Sequence, residues 1–197
     1  MEKRVFVVSV VIIAMLAISP TPAVIIDSIN ADKDPFTFSL SSMGEIGWLY
    51  TPQFSYTLTG IQSQFGYISG APIYPLGTVE LEIYDGLPVD GAALLRSVTF
   101  VVENGPPAGG SFTPLEVSAG SDYFVGFRSD NSNRIFCNSA DSGVSLPCYY
   151  GTDNTGQYLN FTTTSYLVHP ILKFEGVPEP ATLLLLGLGW LMLHRRR

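Results

Sequence analysis

Thr78-Val79-Glu80-Leu81-Glu82-Ile83-Tyr84 alternates apolar and polar side chains almost without a break. On an extended chain successive side chains point to opposite faces. Val79, Leu81 and Ile83 then share one face, and Glu80, Glu82 and Tyr84 the other. Helical spacing would scatter these groups around the axis, so the stretch reads as a strand. The period of two returns in Ser97-Val98-Thr99-Phe100-Val101-Val102. Further strands are predicted over residues 37–40, 46–50, 55–65, 115–118, 123–128, 158–163 and 171–174. Turn formers stand between them: Asp85-Gly86, Asp90-Gly91, Asn104-Gly105-Pro106-Pro107 and Gly109-Gly110. Residues 24–176 hold 17 Gly and 10 Pro and almost no helical periodicity. The fold class expected is all-β, a two-sheet β-sandwich or jelly roll.

The rest of the chain does not share this texture. The whole sequence of 197 residues is 46% hydrophobic with a net charge of −7, and its mean hydropathy is +0.27. The apolar excess sits at the two ends. Residues 1–23 hold 15 hydrophobic residues and residues 177–197 hold 11. The middle carries 5 basic and 15 acidic residues, net −10. A body so acidic is not drawn to nucleic acid. No stretch reaches the roughly 20 unbroken apolar residues of a membrane span, which excludes a multispan protein. The expected organisation is a signal peptide at 1–23, one β-domain at 24–176 and a membrane-addressed segment at 177–197.

The first segment has the order of an export signal. Lys3 and Arg4 precede an apolar run from Val5 to Ile18, broken only by Ser9. Pro20 and Pro22 stop the helix, and Thr21-Pro22-Ala23 supplies small residues before a cut after Ala23. An uncleaved N-terminal anchor is the alternative. The last segment opens with Val177-Pro178-Glu179-Pro180, continues as a leucine-rich run from Ala181 to Leu193, and ends in His194, Arg195, Arg196 and Arg197. The prolines hold Glu179 extended, and Pro180 suits the first turn of a following helix. The run can enter a bilayer as a short transmembrane helix, with the Arg195–Arg197 cluster left in the cytoplasm and the acidic body outside. At about 1.5 Å per residue the run spans roughly 20 Å, against a hydrocarbon core of about 30 Å. Such a helix suits a transient handle better than a permanent anchor.

Pro178, Glu179 and Pro180, the apolar run and Arg195–Arg197 together resemble the PEP-CTERM sorting signal of exported bacterial proteins. The resemblance covers about a tenth of the chain. It implies recognition by an exosortase, a membrane-embedded cysteine protease or transpeptidase, in a bacterium that makes exopolysaccharide. A looser resemblance runs from Leu81-Glu82-Ile83-Tyr84-Asp85-Gly86 to Ala119-Gly120-Ser121-Asp122-Tyr123-Phe124-Val125-Gly126-Phe127. These stretches look like β-sandwich domains found ahead of such signals, and they imply a fold and no function.

Few residues of the body suggest chemistry. Cys137 and Cys148 are the only cysteines. In an oxidising compartment they are disulfide candidates, with two free thiols as the alternative if their geometry diverges. The residues after Cys137, Asn138 to Gly143, read as a turn. His169 is the only histidine of the body and would have to serve any Ser–His–Asp site, but no Gly-x-Ser-x-Gly elbow accompanies it. Glu80 and Glu82 stand about 7 Å apart at i and i+2, a spacing that inverting glycosidases use. Any strand with two outward glutamates shows it, so a solvated face is expected. Asp85, Asp90, Asp122, Asp130, Asp141 and Asp153 fit turns and form no calcium loop. Tyr149, Tyr150, Tyr158 and Tyr166 could stack on sugar rings or simply pack. Asn160-Phe161-Thr162 is a sequon that bacterial export makes incidental.

The expected function is therefore non-enzymatic: an exported cell-surface or matrix protein with no cofactor, no metal and no catalytic residue. It would be sorted through its C-terminal signal, contact the membrane transiently, and reach the cell surface or an exopolysaccharide. A secreted carbohydrate-binding module is the alternative, and a hydrolase the less favoured one.

Overall fold

The computed structural model describes residues 24–33, 35–39, 45–66, 77–103, 107–129, 136–140, 142–150, 162–163 and 169–178. Among these residues twelve strands form in chain order: β1 (Val24–Ile29), β2 (Pro35–Ser39), β3 (Glu45–Tyr50), β4 (Tyr56–Gly66), β5 (Gly77–Tyr84), β6 (Leu94–Val102), β7 (Pro107–Val117), β8 (Tyr123–Ser129), β9 (Phe136–Ala140), β10 (Cys148–Tyr150), β11 (Thr162–Thr163) and β12 (Leu172–Pro178). One 3-10 turn, Pro88–Asp90, is the only helical element among the described residues. The expected signal helix and C-terminal helix fall outside those residues.

The strands make two antiparallel sheets. The first runs β1-β12-β4-β9-β2, with β7 also paired to β4. The second runs β11-β10-β3-β8-β5-β6. The alternation that decides the fold works as expected: Val79, Leu81 and Ile83 are buried in one shared core. That core also takes Trp48, Val125 and Phe127 from the second sheet, and Tyr56, Ile61, Phe65, Leu172 and Phe174 from the first. Aromatic rings join the sheets across it. Phe65 meets Phe127 edge-on at 5.4 Å, and Tyr50 stacks on Phe174 at 4.0 Å.

At one side the sheets are stitched by β6 and β7. Between the pairs Leu58↔Leu115 and Gly60↔Ser111, β4 has one residue and β7 has Phe112, Thr113 and Pro114. This bulge takes carbonyls out of the ladder. Arg96 of β6 captures them, donating from Nε to Thr113 O and from Nη2 to Pro114 O, both at 2.6 Å. Gly110 lies against Val98 so closely that a Cβ would come within 2.4 Å of its Cγ1. The pair Gly109-Gly110, expected as a turn, is thus strand, because only glycine lets the two edges meet.

Two other expectations change. Asn138, Ser139 and Ala140 belong to β9 rather than to a turn, and β9 and β10 lie in different sheets. The solvated face expected for Glu82 is not solvated: Glu82 is 7% exposed and pairs with Arg128 at 3.2 Å. The cause is register, since β8 places Arg128 opposite Glu80 on that face, one pair away from Glu82. Tyr84, on the same face, is also buried and edges onto Phe124.

Candidate functional site

The expected sorting segment grows out of β12. Leu172, Phe174 and Gly176 are buried, while Lys173, Glu175 and Val177 are half-buried. This alternation comes from a strand held on both sides. On one side β4 pairs Leu172 with Ser63 and, past a bulge at Glu175/Gly176, Val177 with Thr57 and Pro178 with Tyr56. On the other, β1 pairs Ile29 with Leu172 and Val24 with Gly176. Gly176 is required by this crowding, because a Cβ there would stand 2.5 Å from Thr57 O and 3.2 Å from Ile26. Pro178, which has no N–H of its own to give a ladder, is the last residue of β12 among the described ones.

The register carries a consequence for both ends of the body. Val24 follows the expected cleavage point at Ala23, and its partner Gly176 stands two residues before Pro178. The two segments expected to address a membrane are therefore attached at neighbouring points of one sheet. Of the expected site residues, Pro178 has its backbone in β12. Ala23, Glu179, Pro180, Arg195, Arg196 and Arg197 lie outside the described residues.

Beside this strand end a polar relay crosses between the sheets. Tyr50 Oη donates to Asp27 Oδ2 at 2.6 Å. Its one proton is thereby used, so Tyr56 donates to Tyr50 Oη at 3.1 Å. Burial, then the bonds to Asp27 and Tyr56, push the Tyr50 phenol well above its usual range. Burial raises the Tyr56 phenol too, and the nearby Asp27 carboxylate adds to the rise. Sequence reading missed this relay because it missed β1. The β-branched run Val24-Ile25-Ile26 was the available signal.

A cleft of about 650 Å³ opens above the relay, lined among others by Asp27, Gln53, Phe54, Asp122, Val144 and Leu146. Asp122 accepts from Thr51 Oγ1, so it serves the turn as well as the cleft. Asp85 does the same for its own turn by accepting from Ala93 N.

The other expected residues are spread apart. His169 stands just before β12, and its carbonyl accepts from Ala140 N of the first sheet. Glu80 and Glu82 are on β5 of the second sheet, on the face turned away from the core. The structure does not bring them together with His169. Cys148 is buried on β10, and Cys137 lies on β9 with its side chain outside the described ones. Tyr149 edges onto Phe124 at 6.4 Å, while Tyr158 and Tyr166 lie outside the described residues. Asp130, Asp141, Asp153 and Asn160 lie outside them as well.

Residues 176–197 match the family model of the PEP-CTERM protein-sorting motif. No curated protein and no solved structure matches the chain. The chain thus carries a PEP-CTERM protein-sorting motif, and the first three residues of that motif, Gly176, Val177 and Pro178, are the last rungs of a strand in the middle of a sheet.

Proposed function

We propose that the chain is a non-enzymatic exported protein whose β-domain is delivered to the cell surface or an exopolysaccharide matrix by processing at or near Pro178-Glu179-Pro180. The sorting motif points to an exported, envelope-associated protein recognised by an exosortase. In this reading Glu179 and its flanking prolines are the recognition element. The Leu-rich run is a short transmembrane helix, and Arg195–Arg197 hold its end in the cytoplasm. The body is a β-sandwich that acts as a structural or adhesive module.

The observation that carries the reading is where the folded strand stops. Processing beyond Pro178 leaves Leu172, Phe174 and Gly176 in the sheet, so the released body keeps its core. A cut ahead of Leu172 would remove a strand held on both sides. The test replaces Pro178-Glu179-Pro180 by alanines in the exporting cell. Loss of the processed mass and retention in the membrane fraction are expected. An unchanged mature mass and location would sink the reading.

Cys137 and Cys148, if joined, cross-link the two sheets. Alkylation under denaturing, non-reducing conditions should then find no reactive thiol in the exported protein, and labelling of both cysteines would refute the bond. A second reading, carbohydrate binding, is favoured only by the cleft with its amide, two carboxylates and half-exposed Phe54 ring. Glycan-array binding lost on Gln53→Ala would support it.

A further inference from the structure

Three short connections fall at one end of the two sheets: residues 51–55 between β3 and β4, 85–93 between β5 and β6, and 118–122 between β7 and β8. The register brings the start of β1 and the end of β12 to the same end. Two of the turns are tied together, since Gly120 N donates to Pro52 O at 2.9 Å and Ala119 N to Ser55 Oγ at 3.0 Å. Among the described residues seven large hydrophobic side chains are exposed, and five of them, Val24, Ile25, Phe54, Val89 and Leu94, lie at this end. Of the other two, Val101 is at the far end of β6, and Val144, bonded to Asn30 past the far end of β1, lines the other side of the cleft that Phe54 borders. Residues 51–55, 85–94 and 118–122 contain no lysine or arginine. Asp85, Asp90 and Asp122 are exposed there.

Concentration of apolar surface at one end of an acidic body calls for something to cover it. Chain length identifies the cover. Only Glu179 and Pro180 separate Pro178 from the apolar run that begins at Ala181. At about 3.3–3.6 Å per extended residue, that step spans about 10 Å at most. The polar layer on each side of a bilayer is itself about 5–8 Å thick. Once the run is inserted, this end of the body is held against the headgroups or within about 2–5 Å of them.

We propose that this end seats in the interface of the bilayer that receives the C-terminal segment, with Phe54 and Val89 at the boundary between headgroups and acyl chains. The inference rests on insertion of the 181–193 run, as in the function proposed above. The exposed aspartates set the lipid preference: zwitterionic headgroups accept this surface, and anionic ones repel it.

The test uses the full chain reconstituted in phosphatidylcholine bilayers whose acyl chains are brominated near the headgroup. Trp190→Phe removes the indole of the apolar run, and Phe54→Trp places one in the turn. Trp48, which is 0% exposed, is the internal reference. We expect brominated lipid to quench the new indole about twofold or more, with the Trp190→Phe parent unchanged. Raising the phosphatidylglycerol fraction should weaken the quenching. Val89→Trp in the same background should give the same result and covers the case in which Phe54→Trp disturbs its turn. Carbonate extraction of the same sample reports insertion independently. An inserted chain with neither indole quenched overturns the proposal and leaves insertion standing. A chain that carbonate removes overturns both. An indole that brominated lipid leaves unquenched but that an added exosortase shields from a water-soluble quencher assigns the surface to a protein partner and also overturns it.

Discussion

Phe174→Ala tests whether the strand that leads into the sorting motif is a structural member of the body. Phe174 is 0% exposed, and its ring stacks on Tyr50 of the other sheet at 4.0 Å and 18°. Truncating a buried Phe costs about 3–5 kcal/mol. The lost stack, worth about 0.5–1.5 kcal/mol beyond burial, places the cost in the upper part of that range. A loss of about 4 kcal/mol lowers Tm by about 8–16 °C in a domain of this size. Thermal melts followed by near-ultraviolet circular dichroism measure it directly. Val177→Ala is the control: Val177 is half-buried in the same strand, and its loss should stay near 1 kcal/mol. In cells the weakened body should fall in abundance through proteolysis, while the surviving molecules keep the parent's processed mass, because Pro178-Glu179-Pro180 is untouched. If Phe174→Ala melts within about 3 °C of the parent, β12 is not clamped between β1 and β4 as described, and the argument for where processing must fall goes with it.

Two further outcomes follow from the geometry. Arg96→Ala should lower the urea unfolding free energy by about 1–3 kcal/mol, because it leaves the Thr113 and Pro114 carbonyls without their charged donor. Arg96→Lys should recover less than half, since an ammonium cannot present the two-pronged fork. The Tyr50–Tyr56 pair predicts an alkaline limb in the stability profile. Both phenols are raised in the folded state, so the folded chain keeps protons that the unfolded chain loses above about pH 10. Their contribution is therefore complete below that pH and is lost as pH rises above it. Tyr50→Phe with Tyr56→Phe should flatten the limb, and an unchanged slope of Tm against pH would contradict the relay.

The parts of the fold legible in the sequence are those in which one face is core and the other is not. β5 and β6 announce themselves by alternation, and Val79, Leu81 and Ile83 are in the core as expected. β7 hides its first half, because Gly109 and Gly110 look like a turn until Val98 and Ile61 are seen pressed against them. β9 hides because Asn138, Ser139 and Ala140 are small and turn-like, and only the pairing of Phe65 with Cys137 and Phe36 with Ser139 makes them strand. Glu82 was misread for a related reason. Alternation reports which face a side chain is on, but not whether a partner such as Arg128 and a ring such as Tyr84 cover that face. The sorting motif was legible in full, since it is read along the chain and needs no tertiary contact. Its attachment to a central strand was not.

That attachment orders the events of maturation. Among the described residues β1 pairs with β12 alone, so the first strand of the body waits for the last before it has a partner. A contact of such long sequence separation forms late and bears a large loop-closure cost. The residues that close it, Leu172 to Pro178, are followed after two residues by the apolar run. Under the function proposed above, the sheet is thus completed as the sorting handle arrives at the membrane. Processing before β12 docks would release a body with β1 and the edge of β4 unpaired, which is a template for aggregation. Processing after it docks finds Val177 and Pro178 already held in the sheet. The second order is the one that delivers a folded body. Under the function proposed above, it requires the exosortase to act on a body whose sheet is already finished.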